Sequence, residues 1–425
     1  MEKMEAYNLG RSGRKGAGTY MDKINKGVKD RPNIVVVVVD TLRTAYLGCC
    51  GNRNILTPNI DAFAGKSVRF TRAYPESLPT IPVRRALFTG RRVYPFNNYR
   101  PLKDSLVYLP GWQAMFNEED TVAENLKASG YHTGFVADSV PYFSPGLNFY
   151  RGFMQWEFIR GQMNDKWASP FTVSDKEIRL YGVKPARENV YLGRYLYLAN
   201  RDRYWKRNET TTERVFKWGM EFLEDNRKGR PFYLLMDSFA PHEMWEAPEK
   251  YFKLYGARKY DGIRRIQCDR GYGPMKSCGY AAEEVEFIKA NYSGLVTLVD
   301  EWFGKFMAKL KGLGLSGNTY VFLVSDHGTN FCENKREVLG KAENAMYPGV
   351  MDLVMMLKSP DGAGKGKTNG ELVYNIDLTA SIYDAAGIKS KQGIDGRSLL
   401  NFMRRGKKMK GRKLKSFHLK MLKKS

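Results

Sequence analysis

The chain has 425 residues, 43% of them apolar, and a formal net charge of +24. This length can bury a sizeable core in one large or two ordinary domains. Its longest aliphatic run, from Ile34 to Val39, is far shorter than the roughly 20 residues that cross a bilayer, so no transmembrane segment is predicted. The excess of positive charge favours anionic substrates or surfaces but does not specify a fold.

The two ends of the chain differ in composition from the middle. Residues 1–30 mix Lys, Arg, Gly and Ser without periodicity and are predicted to form a flexible basic arm. Residues 401–425 hold eleven Lys or Arg and no acid, which predicts a solvated tail or, alternatively, a contact with polyanions. Residues 31–400 are therefore expected to hold the folded domain.

The cysteines and the N-terminal sequence indicate the cellular compartment of the protein. The five cysteines are odd in number and contain no C-x-x-C pair, which argues against a disulfide framework or a zinc ribbon. The first thirty residues have no apolar stretch of the kind found in signal peptides. These features predict a cytoplasmic protein.

Strand and helix patterns alternate along the middle of the chain. Buried strands are predicted at 34–39, 135–137, 231–236 and 320–325, and helices at 57–64, 121–130, 212–226, 291–310 and 375–386. This alternation predicts an α/β fold with a mostly parallel sheet covered on both faces. The segment 251–280 is predicted to be a surface insertion, and its sequence suggests no function.

Two of the predicted strands end in residues that bind metals. Asp40 follows the first strand, and Asp326 and His327 follow the strand at 320–325. Ligands of open α/β sheets bind beyond the carboxyl ends of the strands, and two carboxylates with an imidazole suit Ca, Mg, Mn or Zn. Taken singly, Asp40 could instead cap a helix and Asp326-His327-Gly328 could form an ordinary turn.

The segment Thr80-Ile81-Pro82-Val83-Arg84 resembles the nucleophile signature of the sulfatases, which is Cys or Ser, any residue, Pro, any residue, Arg. Other blocks of the family follow in its order at 31–43, 57–61, 68–74, 318–328, 340–341, 347–348 and 395–399. The chain is thus identified as an atypical sulfatase-like member of the alkaline phosphatase superfamily over residues 31–400, its catalytic domain. The resemblance implies a three-layer sandwich around a mostly parallel sheet.

The resemblance also implies roles for single residues. Asp40, Asp326 and His327 would hold the divalent metal ion. Thr80 would present its hydroxyl to both the metal and the substrate, and Arg84 would stabilise this nucleophile and the charge on the transferred group.

Two further residues match family positions on the leaving-group side. His242 would contact the leaving group. Lys341 would bind an equatorial oxygen or help to protonate the leaving alkoxide.

Four departures from the family pattern bear on the reaction. Threonine, unlike Cys or Ser, cannot be converted to formylglycine. Thr41 stands where many sulfatases have a second acid, and Val136–Val140 replaces the Gly-Lys-x-His block that clamps sulfate. Only about 25 residues follow the last block, too few for the usual C-terminal subdomain.

The leading hypothesis is a metal-dependent hydrolase of phosphate esters, including diesters, that works through a phospho-Thr80 intermediate. In the superfamily, members with threonine at this position are phosphodiesterases and phospho-group transferases. The alternatives are a sulfatase that uses Thr80 directly and a non-catalytic descendant that binds polyanions. The substrate would be an anionic small molecule or a glycan or lipid ester, and the sequence does not specify the oligomeric state.

Overall fold

The computed structural model describes residues 30–96, 103, 109–143, 146–163, 165–183, 193–229, 231–256, 260–400 and 403. Nearly all of the predicted basic arm and of the tail lies outside these ranges, so the functions suggested for them stay predictions. Within the described ranges, no helix combines the length and the apolar character that a membrane crossing requires.

Eleven strands and ten α-helices are found in the described part of the chain. The strands are β1 Asn33–Val39, β2 Val68–Tyr74, β3 His132–Ala137, β4 Gln155–Phe158, β5 Phe232–Ser238, β6 Gly273–Pro274, β7 Thr319–Ser325, β8 Asn330–Phe331, β9 Val338–Gly340, β10 Met355–Lys358 and β11 Thr368–Tyr374. The helices are α1 Pro58–Ala64, α2 Thr80–Thr89, α3 Val122–Ala128, α4 Asp175–Leu180, α5 Gly193–Trp205, α6 Thr211–Asn226, α7 Glu249–Phe252, α8 Ala282–Gly312, α9 Pro348–Met351 and α10 Ile376–Ala386.

Eight strands form the central sheet in the order β11-β2-β10-β7-β1-β5-β3-β4. Strand β10 is antiparallel to both of its neighbours, and every other pairing in this sheet is parallel. The carboxyl ends of β7, β1, β5, β3 and β4 therefore meet at one edge. A second sheet of β6, β9 and β8 is small.

Helices cover both faces of the central sheet. In β1, Val35, Val37 and Val39 belong to one apolar cluster, which includes side chains of α6 and α8. Ile34, Val36 and Val38 belong to the other, with side chains of α2, α3 and α10. A strand buried on both faces needs apolar residues at every position, which the valine run supplies. The predicted α/β three-layer sandwich is confirmed.

Local signals placed most of the predicted elements correctly. Thr121 and Glu124 form the expected capping box at α3, and Gly387 ends α10 with a φ of 64°. The long helix α8 starts at Ala282, well before the predicted start, where the side chain of Glu284 accepts a hydrogen bond from the Ala281 amide.

The prediction of a surface insertion at 251–280 was incomplete. Arg265, Ile266 and Tyr280 in this segment are buried. The segment also contributes β6, which pairs with β9 directly before Lys341. It is therefore part of the wall of the site described next.

Candidate active site

The two central strands bring the predicted metal ligands together. Strands β1 and β7 are adjacent and in register, with Val39 opposite Ser325, so Asp40 and Asp326 emerge side by side. Asp40, Asp326 and His327 are buried, and one ligand atom of each lies within 4.8 Å of the others. The site that the sequence predicted is assembled by strand pairing alone.

The imidazole of His327 fits a metal ligand. Its Nδ1 lies 3.0 Å from the carbonyl oxygen of Gly328, which can only accept, so Nδ1 carries the proton. Nε2 is buried and has no hydrogen-bond partner. It lies 3.4 Å from Asp326 Oδ2 and 3.9 Å from Asp40 Oδ1. Two carboxylates and an imidazole nitrogen so close together form a donor set that suits a divalent ion.

Thr41 occupies the position of the family's second acid and orients the first one. Its hydroxyl donates to Asp40 Oδ1 at 2.7 Å, and its amide donates to Asp326 Oδ1 at 2.9 Å. Its φ of 60° is unusual for a β-branched residue, and its carbonyl is held by the Tyr292 hydroxyl. Thr41 therefore fixes the geometry of both carboxylates.

Arg84 lies fully buried between three carboxylates. Its Nη2 donates to Asp40 Oδ2 at 2.9 Å, and its Nη1 donates to Asp326 Oδ2 at 2.5 Å. Its Nε and Nη2 donate to the two oxygens of Asp237 at 2.8 and 2.9 Å. Burial disfavours a charged guanidinium, but these carboxylates raise the Arg84 pKa well above its usual value. The pKa of Asp40, which burial would raise, is lowered by Arg84.

These contacts use every donor of the Arg84 guanidinium. Nη1 also donates to the Thr80 carbonyl at 3.3 Å, so all five N–H groups of the guanidinium have acceptors within the protein. A hydrogen bond to the transferred group would require one of these bonds to break. In this structure Arg84 holds the metal-ligand carboxylates in place and is bonded to Thr80, and its contact with the transferred group stays a prediction.

Asp237 and Tyr142 are site residues that the sequence analysis missed. Asp237 is a buried residue of β5, and its Oδ2 accepts a hydrogen bond from the Tyr142 hydroxyl at 2.6 Å. An acid at the carboxyl end of a buried strand is the same signal that marked Asp40. Three carboxylates and one guanidinium give this cluster a formal charge of −2, which a divalent cation would neutralise.

Thr80 begins α2, a helix of ten residues without a side-chain cap. The first amides of such a helix have no partners within it and attract negative charge. Thr80 itself is 5% exposed. Its position suits a nucleophile whose substrate carries an anionic group.

Lys341 and His242 lie together on another side of the site. Lys341 Nζ donates to His242 Nε2 at 3.0 Å and to Glu243 Oε2 at 2.5 Å. Burial, and then the charge of Lys341, lower the His242 pKa, so this imidazole is neutral. The sequence thus predicted two residues that the fold brings into contact.

Asp138 replaces the basic clamp and is directed into the protein. Its carboxylate accepts from the Phe239 amide at 2.7 Å and from Gln162 at 3.2 Å. Burial raises its pKa to about 6, although these hydrogen bonds lower it. The Asp138 carboxylate is therefore hydrogen-bonded to groups of the protein itself.

We expect Asp237→Asn to weaken divalent metal binding by about 10- to 100-fold, because Arg84 loses its anchor and the cluster loses one negative charge. Titration calorimetry with Mn²⁺ on metal-free protein measures this. Asp225→Asn removes an exposed acid on α6 and should bind as the wild type does. Equal affinities in both variants would contradict the role given to Asp237.

Asp138 predicts a pH dependence of stability. Its pKa is about 6 in the folded protein against 3.8 for an ordinary aspartate, so its contribution is fully present below pH 3.8 and is lost as pH rises through 6. In Asp138→Asn this loss, about 3 kcal/mol, should disappear. Urea unfolding of both proteins at pH 4 to 7 measures the difference, and parallel curves would contradict the assignment.

Comparison with known proteins agrees with this geometry. The sequence pattern of the sulfatase family matches residues 32–388. The arylsulfatase of Clostridium perfringens is 27% identical over 395 residues, covering 87% of this chain and 78% of that protein. The ulvan-active sulfatase of Formosa agariphila is also 27% identical, covering 87% of this chain and 64% of the relative.

Solved structures show the same fold. The phosphonate monoester hydrolase of Agrobacterium radiobacter aligns with a TM-score of 0.66 at 20% identity, covering 90% of this chain and 79% of that one. The enzyme of the same name from Silicibacter pomeroyi gives a TM-score of 0.62. Because the family pattern covers most of its length, the chain belongs to the sulfatase family and is a hydrolase of ester bonds.

Proposed function

We propose that the protein hydrolyses phosphorus esters, phosphate or phosphonate, with Thr80 as the nucleophile and a divalent metal ion as cofactor. The observation that carries this proposal is Thr80 at the uncapped start of α2, joined through Arg84 to the carboxylates of Asp40 and Asp326. Threonine can act directly as a hydroxyl nucleophile but cannot supply the formylglycine of sulfatases.

The proposed ester hydrolysis has two steps. The Thr80 hydroxyl releases its proton to solvent and its oxygen attacks phosphorus, while the bond to the leaving oxygen breaks as Lys341 or His242 assists its departure. Water then cleaves the phospho-threonine and restores the hydroxyl. A cation held by Asp40, Asp326 and His327 would lower the pKa of the hydroxyl and offset charge on the phosphoryl oxygens.

The absence of the basic clamp favours phosphorus esters over sulfate esters as substrates. The family block that binds sulfate with Lys and His is absent, and Asp138 takes part in internal hydrogen bonds instead. All donors of Arg84 are bonded within the protein. Among the described residues, we therefore assign the substrate's charge to Lys341, to the amides at the start of α2 and to the bound divalent ion.

Sulfate-ester hydrolysis by Thr80 is the second candidate, since the curated relatives that match over most of this chain are named as sulfatases. A purely polyanion-binding descendant is less favoured. Such a protein would have no need for a buried charge cluster, which is costly to maintain unless it is used.

The leaving group has space on the β4 side of the site. A small cavity of about 50 Å³ reaches His242 and is lined by Gln162 and Tyr204. Tyr204 also lines a groove of about 500 Å³, whose charged residues are Glu157, Arg160, Arg207, Glu209 and Arg214. We propose an anionic ester with an extended leaving group, such as a glycan or a lipid headgroup.

A substrate panel tests the reaction. Aryl phosphate, bis-aryl phosphate, aryl phosphonate and aryl sulfate are assayed with metal-free protein and with added Mn, Zn, Ca or Mg. We expect the phosphorus esters to be cleaved faster than the sulfate, and EDTA to abolish the activity. Faster sulfate cleavage would select the second candidate, and no cleavage under any metal would select the binding protein.

Thr80→Ala should lower kcat on the best substrate by at least about 10³-fold, because no other group can form the covalent intermediate. Thr80→Ser is the matched control and should keep measurable activity, since it retains the hydroxyl. Thermal unfolding of both variants should match the wild type. Full activity in Thr80→Ala would mean that the nucleophile is another residue.

A further inference from the structure

Lys341 has one N–H group left for the substrate. An ammonium has three N–H donors, and those directed at His242 Nε2 (3.0 Å) and Glu243 Oε2 (2.5 Å) use two of them. The Tyr272 ring centroid lies 5.8 Å from Nζ, and no third hydrogen-bond acceptor contacts Nζ among the described residues, so the third N–H can donate to a substrate oxygen. The carboxylate and the imidazole therefore determine where this donor points.

The proton of His242 is not on Nε2, the nitrogen that contacts Lys341. Its Nδ1 lies 2.7 Å from the Glu243 carbonyl oxygen and 3.1 Å from Glu243 Oε2, both of which only accept, so Nδ1 carries the proton. Nε2 is then the acceptor for Lys341. Of the two residues on the leaving-group side, only Lys341 can protonate a departing oxygen.

Glu243 is held in turn by the segment 251–280. It is 4% exposed, and its Oε1 accepts from the Tyr272 hydroxyl at 3.1 Å. The Tyr272 ring packs on Gly340, where an added Cβ would lie 2.1 Å from the ring. Although burial raises it, Lys341 and His242 lower the pKa of Glu243 to about 2, so the carboxylate is ionised.

We propose that Glu243 is a positioning residue that holds Lys341 as the proton donor to the leaving oxygen, and that Tyr272 fixes Glu243. The inference rests on the proposed ester hydrolysis. In the first step the bond between phosphorus and the leaving oxygen breaks, and that oxygen takes the third proton of Lys341. The neutral amine keeps its two other N–H bonds. In the second step the attacking water returns a proton to the amine, and the Thr80 oxygen leaves.

The dependence of rate on the leaving group tests this role. A phenyl ester has a poor leaving group that needs protonation, whereas a 2,4-dinitrophenyl ester does not. Using holoenzyme and the ester class that the wild type cleaves, we expect Glu243→Gln to lower kcat/KM about 10²-fold for the phenyl ester and less than about threefold for the dinitrophenyl ester. Tyr272→Phe should show the same selective loss at smaller size.

Glu343→Gln is the matched control, because this exposed acid lies two positions beyond Lys341 and its loss changes charge without changing the contact. It should leave both rates unchanged. The proposal would be overturned if Glu243→Gln and Tyr272→Phe each lost kcat/KM equally on the two esters. It would also be overturned if neither variant lost activity. If Glu243→Gln fails to fold, Tyr272→Phe alone decides. Absence of wild-type turnover would instead contradict the proposed function.

Discussion

The buried guanidinium of Arg84 forms salt bridges with carboxylates at the carboxyl ends of three strands, β1, β5 and β7. A charged arginine without water is costly unless every donor is matched, and Arg84 meets this condition with carboxylates that follow β1 and β7 and one within β5. Because the carboxylates are themselves buried, the guanidinium offsets the cost of burying their charge. The arginine and the acids are thus mutually dependent, and the nucleophile helix is attached to them through the Thr80 carbonyl.

The site contains two kinds of positive charge, one bonded within the protein and one that we propose to contact the substrate. All five N–H groups of Arg84 bond within the protein, whereas Lys341 and the start of α2 are the groups that we propose for the substrate. The lysine lies on a different sheet from the metal ligands, at the end of β9. In the proposed reaction, residues at the edge of the central sheet would bind the transferred group, and residues of the small sheet would contact the leaving group.

The sequence predicted those parts of the site that depend on local pattern. A valine run buried on both faces specifies β1, and strand pairing then brings Asp40 and Asp326 together without further information. The partners of side chains were not predictable in this way. That Tyr142 meets Asp237, or that Tyr272 meets Glu243, depends on register between segments far apart in the chain and on loop paths that no periodicity encodes.

The central position of β1 has a consequence for how the chain folds. Its hydrogen-bonding neighbours are β5 and β7, which begin at Phe232 and Thr319, so its contacts are strongly non-local. High contact order slows folding, and a nascent chain would expose this five-valine segment until much of the sequence has been synthesised. Such a segment is prone to intermolecular β-pairing. Biosynthesis of this protein should accordingly depend on chaperones that shield the first strand.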